Sequence, residues 1–321
     1  MAILRSLFRR STPEYASAMS MVACALLAGG SIILGAIQHS LILQTNGLIS
    51  VIDIGNSMLF LAAVRRSMRN ADMRFNYGYG KYESLAILAS ATLLIVLTAY
   101  TLGEAWTMFS RPTPNQNTLV VVAWSIASFL VMRWNTRQLT RYADRFHMPM
   151  LRYDAELWRL DSWLEIGVIL SLLVGGVLLS MAQVSLARTV DGIASVLLLV
   201  VSLKVPLTHG REAIKQLLDR TLPDSMQFEI LAIIAENFTH MCEFKGVHTR
   251  QSGKDIFIEI DLVMPYDYTL EHLYQLERQI LERLHEKFPT AVPRVYVTPC
   301  DRNCIRDGLT HCPIKLAAGR S

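Results

Sequence analysis

Four stretches of the chain are free of Asp, Glu, Lys and Arg: Tyr15 to Ile52, Ser84 to Gly103, Pro112 to Met132 and Ile166 to Ala187. Crossing the hydrocarbon layer of a bilayer takes about 20 apolar residues. There, every backbone polar group must be bonded within the protein. The runs therefore predict membrane helices rather than helices of a water-soluble core. After about Thr208 charged residues return at ordinary density. The 321 residues thus divide into a membrane domain over 1–207, a soluble domain over 208–299 and a cysteine-containing tail over 300–321.

The pattern predicts six helices, at about Ser17–Ile37, Gly47–Val64, Ser84–Met108, from after Asn117 to Met132, Leu157–Met181 and Arg188–Leu207. Uncharged turns are expected at Gln38–Ser40 and Gln44–Asn46, and a loop at Pro112–Asn117. Arg5, Arg9 and Arg10 precede a first apolar run that is too long for a signal-peptide core and has no convincing cleavage site, so the run is read as retained. The first 207 residues carry 17 basic and 11 acidic side chains, the remainder 14 and 16. Most arginines fall in the N-terminus, the 2–3 loop (Arg65, Arg66, Arg69, Arg74) and the 4–5 segment (Arg133, Arg137, Arg141, Arg145, Arg152, Arg159). By the positive-inside rule both termini are cytoplasmic in a cell (inner) membrane. Basic residues confined to membrane-flanking loops give no nucleic-acid reading. Trp106, Trp134 and Trp158 lie near expected helix ends, as interfacial aromatics do.

The soluble part reads as α+β. Pro223-Asp224 opens a helix to about Asn237. Ile256, Ile258, Ile260 and Leu262 alternate with Phe257, Glu259 and Asp261, a half-buried strand. Lys245–Gln251 is its partner through a turn at Ser252-Gly253-Lys254. Leu270, Leu273, Leu276, Ile280, Leu284 and Phe288 form one helical stripe, and Arg294–Thr298 is a third strand. The order is αββαβ, a ferredoxin-like arrangement.

An acid within an apolar helix is costly, by roughly 2.5–3.5 kcal/mol on insertion scales, which singles out Asp53. Asp161 is the matching acid of the fifth helix. Either the two face each other and bind a cation, or they are a relic pair hydrogen-bonded to neighbours. One turn beyond them stand Ser57 and Glu165, with Asn56 adjacent. Together these five would form an all-oxygen site, which favours Mg²⁺, Mn²⁺ or Fe²⁺ over zinc. Cys24 lies in a membrane run and reads as a small apolar residue; the other four cysteines fall in the soluble part, placed in a reducing compartment. In the tail, Cys300, Cys304, His311 and Cys312 have zinc-ligand chemistry at loose spacing. Either they hold a structural zinc or they form an ordinary reduced tail.

Six helices followed by an αββαβ domain resemble the cation diffusion facilitator family. Several segments carry the resemblance: Asp53-Ile54-Gly55; Ala71-Asp72 followed by Tyr77-Gly78-Tyr79-Gly80-Lys81-Tyr82-Glu83-Ser84; Leu217-Leu218-Asp219-Arg220-Thr221-Leu222-Pro223-Asp224; and Thr249-Arg250-Gln251-Ser252-Gly253. The resemblance extends to about Thr298 and implies a dimer that exports divalent transition metals in exchange for protons.

It also implies a tetrad of ligands, of which half is present. Ile49 stands one turn before Asp53 and Leu157 one turn before Asp161, where the family has ligands. In the loop Asp72 matches, while Phe75 and Tyr79 replace histidines. Lys245, Asp261 and Thr298 stand at ligand positions of the soluble domain, a set unsuited to a binuclear site. Lys81 and Asp219 match the charges that meet near the family's dimer seam and hinge.

Two functions follow. One is proton-coupled efflux of Mn, Fe, Zn or Co through a carboxylate site, by a homodimer with no permanently bound cofactor. The other is a transport-incompetent relative that acts as an assembly or regulatory partner. No nucleophile–base pair and no phosphate-cradling loop points to an enzyme.

Overall fold

The computed structural model describes residues 11–37, 41–108, 118–181 and 183–301. The chain divides into two compact units, Met1–Ile214 and Lys215–Ser321.

The first unit is helical: α1 (Pro13–Ile37), α2 (Leu41–Ser67), α3 (Lys81–Met108), α4 (Thr118–Phe146), α5 (Pro149–Ser180), α6 (Val184–Ser202) and α7 (Lys204–Leu217). Five segments among the described residues are long and apolar enough to cross a membrane: Pro13–Leu34, Lys81–Gly103, Leu119–Phe146, Pro149–Leu178 and Gly192–Leu217. α2, with 27 residues, takes the second place in the helical order. α1 packs along α2, and α5 lies between α4 and α6. Small residues line the close approach of α1, where Ala16, Ser17, Ser20, Ala23 and Ala28 are all buried. In a membrane, where lipid is as apolar as leucine, such residues let backbones pack tightly. The core is completed by Phe60, Val64, Leu139, Met150, Leu151 and Tyr153.

Several boundaries differ from the sequence reading. Gln44–Asn46 lies inside α2 rather than in a turn. α4 runs on to Phe146 through the arginines read as a loop. One face of this extension buries Asn135, Thr136, Leu139 and Ala143, so the arginines solvate the other. α5 therefore starts at Pro149 rather than Leu157, with proline at the first helical position, where its missing N–H costs nothing. The sixth helix breaks after Ser202. Pro206 cannot donate to the Ser202 carbonyl four residues back, and α7 begins separately. α7 stays with the first unit: His209 Nε2 lies 2.7 Å from Glu156 Oε2, and Gly210 packs beside Ala91. The compact units accordingly meet seven residues later than the change in composition. Trp158 is interior rather than interfacial, its Nε1 donating to Ser20 Oγ at 2.8 Å.

Glu83 explains part of its motif. The side chain is fully buried and accepts from Met150 N, at 3.4 Å, at the start of α5. A carboxylate suits that end of a helix.

The second unit has α8 (Asp224–Glu236), a short 3₁₀ turn (Phe238–His240), β1 (Glu243–Ser252), β2 (Asp255–Met264), α9 (Leu270–Lys287) and β3 (Ala291–Pro299). The sheet order is β1-β2-β3. β1 pairs antiparallel with β2, in a register that joins Ser252 to Asp255. Gly253, at φ +61, takes the first position of the two-residue loop, where this kind of hairpin needs glycine. β2 and β3 are parallel, connected through α9. Ile258, Ile260, Leu262 and Met264 face Ile230, Ile234, Leu276, Ile280 and Leu284 in one core.

Candidate cation site

The membrane unit gathers its acids from two helices. On α5, Asp154, Asp161 and Glu165 are spaced seven and four residues apart, which puts them on one face. On α2, Asp53 is half-buried, and Asn56 and Ser57 are buried. Asp161 lies within electrostatic reach of Asp53, Asp154 and Glu165. Asp161 is itself exposed. Glu165 accepts from Ser125 of α4. Asp154 lies beside Ser20 and Trp158, and among the described residues its Oδ2 has no hydrogen-bond partner. Asn56 Oδ1 is likewise buried without one. α1 contributes Cys24, whose Sγ lies 3.4 Å from Ser57 Oγ and within reach of the charges of Asp53, Asp154 and Asp161. Among the described residues no three His, Cys, Asp or Glu side chains stand at the spacing of a bound metal.

The loop between α2 and α3 is closed by Asp72. Its Oδ1 accepts from Arg74 N at 2.9 Å and Phe75 N at 2.8 Å. Its Oδ2 accepts from the Tyr79 hydroxyl at 2.7 Å. The Tyr79 phenol, with these amides, holds the Asp72 carboxyl below the usual carboxylate range and is itself pushed up by the carboxylate. Phe75 and Tyr79 pack with ring centroids 4.5 Å apart. Gly78, at φ +79, makes the turn between them.

Residues 17–218 match the family model for the cation efflux transmembrane domain. Residues 222–297 match that for the cation efflux protein, cytoplasmic domain. The chain belongs to the cation diffusion facilitator family. It is 28% identical over 262 residues to the cation-efflux pump FieF of Escherichia fergusonii, covering 78% of this chain and 81% of the relative. It is 27% identical over 259 residues to the FieF proteins of an Escherichia coli strain and a Yersinia pestis strain, with the same coverage.

In this cation diffusion facilitator the five residues singled out in the membrane divide into two groups. Asp53 and Asp161 come within reach of each other's charge. Ser57 turns toward Cys24 and Glu165 toward Ser125. Of the residues at the two replaced ligand positions, Leu157 packs against the apolar core, and the side chain of Ile49 lies outside the described residues. Asp72 spends both oxygens on its own loop, and Phe75 and Tyr79 pack ring against ring beside it. In the cytoplasmic domain Lys245 Nζ donates to Thr298 Oγ1 at 3.3 Å. Asp261 has His248 Nε2 at 3.7 Å.

Lys81 opens α3. Asp219 pairs with Arg250 Nη1 at 3.4 Å. Cys300 is half-buried, its backbone bonded to Met264 O at 2.8 Å. Cys304, His311 and Cys312 lie outside the described residues, as do Gln38–Ser40, the Pro112–Asn117 loop and the N-terminal arginines.

Sequence reasoning passed over Cys24 and Asp154. Asp154 lies seven residues before Asp161, two turns along the same helix, a signal that was available. Nothing in the α1 sequence marks Cys24, which gains its place only through packing.

Proposed function

We propose that this cation diffusion facilitator is a proton-coupled exporter of divalent transition-metal cations. Its membrane site is built on Asp53 and Asp161, with Ser57, Asn56 and Glu165 one turn away. The observation that carries this reading is the proximity of two acids from separate helices, α2 and α5, within the membrane unit. An intramembrane acid is expensive to keep without use, and paired acids from facing helices are a way to hold a cation.

The cation is the substrate. Carboxylates must be deprotonated to bind it, so binding releases protons and couples the two fluxes. In the conformation described, no group of three or more His, Cys, Asp or Glu side chains among the described residues is gathered to hold a metal. The cation would draw α2 and α5 together, and rocking of helix groups around a fixed site gives alternating access. Cys24, held against Ser57, adds a soft donor to an otherwise oxygen set. That extends the accepted ions from Mn²⁺ and Fe²⁺ toward Zn²⁺ and Co²⁺. The cytoplasmic domain supports assembly as a homodimer, since the model matched by residues 222–297 is named for a dimer domain. Both termini face the cytoplasm by the distribution of arginines.

The test is flux in proteoliposomes with an imposed proton gradient and an entrapped pH dye, offering Mn²⁺, Fe²⁺, Zn²⁺ and Co²⁺ in turn. Metal-dependent proton movement that is lost in Asp53→Asn supports the reading. Equal flux in the wild type and the variant contradicts it.

A further inference from the structure

The exposed face of α4 changes character along its length. Leu119, Ile126, Leu130 and Trp134 are exposed, at 78%, 47%, 61% and 51%. Arg137, Arg141 and Arg145 are exposed beyond them. The steps between these seven positions are seven, four, four, three, four and four residues. That is a 3.6-residue repeat, so all seven share one stripe. The stripe runs from aliphatic to aromatic to basic, the order of hydrocarbon, interface and headgroup in one half of a bilayer.

Length agrees with this order. A helix rises about 1.5 Å per residue, so a hydrocarbon layer of about 30 Å counted from Leu119 ends near Leu139. Arg141 and Arg145 then lie at headgroup depth, and Arg137 reaches it with its flexible stem. Among the described residues none of the three guanidiniums has an acid within ion-pair distance, and Arg145 lies over the Phe146 ring at 5.4 Å. The acid nearest in sequence, Asp144, is taken by Arg152 at 3.0 Å.

We propose that the arginine half of this stripe is a binding site for anionic phospholipid, whose headgroup phosphate bridges Arg137, Arg141 and Arg145 while its acyl chains lie along Leu130 and Ile126, within the same half of the bilayer. Charge complementarity selects the headgroup, and guanidinium matches phosphate with two parallel hydrogen bonds. The continuity of the apolar and basic halves selects a lipid over a free anion. The site is independent of the cation site and of its chemistry.

The experiment titrates purified full-length protein in detergent with phosphatidylglycerol, phosphatidylcholine or inorganic phosphate, and follows thermal unfolding and retained lipid by native mass spectrometry. Phosphatidylglycerol should bind and raise the melting temperature, and phosphatidylcholine and phosphate should not. Each arginine replaced by glutamine should weaken phosphatidylglycerol about fivefold. The triple variant R137Q/R141Q/R145Q should lose the preference, while Arg278→Gln on the cytoplasmic domain, equal in charge change to each single variant, should keep it. If the triple variant does not fold, Arg141→Gln alone serves. Equal response to phosphatidylcholine, reproduction of the effect by phosphate, or an unchanged preference in the arginine variants overturns the proposal.

Discussion

Asp219 sits at φ +52, with its carboxylate 3.4 Å from Arg250 Nη1. The two features belong together. Arg220 N bonds back to Lys215 O at 3.0 Å and Asp219 N to Gln216 O at 3.3 Å, the paired bonds that close a helix through a left-handed residue. Asp tolerates that conformation better than most residues, and Arg250 then fixes the side chain. Arg250 in turn covers the Phe257 ring at 4.9 Å. Asp219→Gly should therefore be tolerated. Asp219→Val should cost about 1–2 kcal/mol, read as a lower melting temperature of the full-length protein. Equal melting of the two variants would show that the helix end is not under this constraint.

Tyr79 makes Asp72 a stronger acid. Without the phenol, in Tyr79→Phe, the Asp72 carboxyl should titrate closer to its ordinary value of about 3.9. Because the carboxyl is held low in the folded loop, the order it confers is present above the ordinary carboxylate range. That order is lost as pH falls through the depressed value. Carboxyl-carbon NMR of labelled protein reads the shift. A titration that is the same in both proteins would remove Tyr79 as the cause. The double variant F75H/Y79H, which returns histidines to the loop, should bind Zn²⁺ there, whereas the wild-type loop should not.

Gly30 faces the ring of Trp124, and a Cβ at that position would overlap the indole. Trp124 is also tied to Ser31 Oγ at 3.1 Å, which limits its retreat. Gly30→Ala should overpack the α1–α4 contact and cost about 1–3 kcal/mol. The fall in melting temperature should be relieved by Trp124→Leu in the same chain. Additive losses would argue against the clash.

What could be read in advance follows from how each signal arises. Charge-free runs report the membrane helices because a bilayer tolerates few charges, and the strict alternation of Ile256, Ile258, Ile260 and Leu262 gives β2. Where the sequence misled, polarity stood in for a break. Arg137, Arg141 and Arg145 look like a loop when counted as charges. Leu139 and Ala143, four residues apart and buried, show that the segment is helical. Gln44–Asn46 is polar yet helical for the same reason, since polarity does not end a helix unless a proline or a cap does. Pro206 was such a signal, and it breaks the helix four residues earlier. The proposed cation site was half legible. Asp53 and Asp161 are costly in the membrane and so announce themselves. Cys24 and the burial of Asp154 depend on contacts between distant helices, which no local pattern carries.

Cys24 supplies a test of ion preference. Cys24→Ser keeps a small polar group beside Ser57 but removes the soft sulfur. The ratio of Zn²⁺ to Mn²⁺ flux in proteoliposomes should fall by about tenfold, the effect of roughly 1.4 kcal/mol of lost preference. Total Mn²⁺ flux should be little changed. An unaltered ratio would remove Cys24 from the cation's surroundings and leave the carboxylates as the whole site.

The most direct measurement of the central claim is a double-mutant cycle of cation binding on Asp53→Ala and Asp161→Ala, by calorimetry on folded protein. If the two carboxylates hold one cation, each single variant should abolish most of the binding and its linked proton release. The double variant should then add little, because residues that share a ligand are not additive. Two losses that simply sum, or binding and proton release intact in either single variant, would contradict the account.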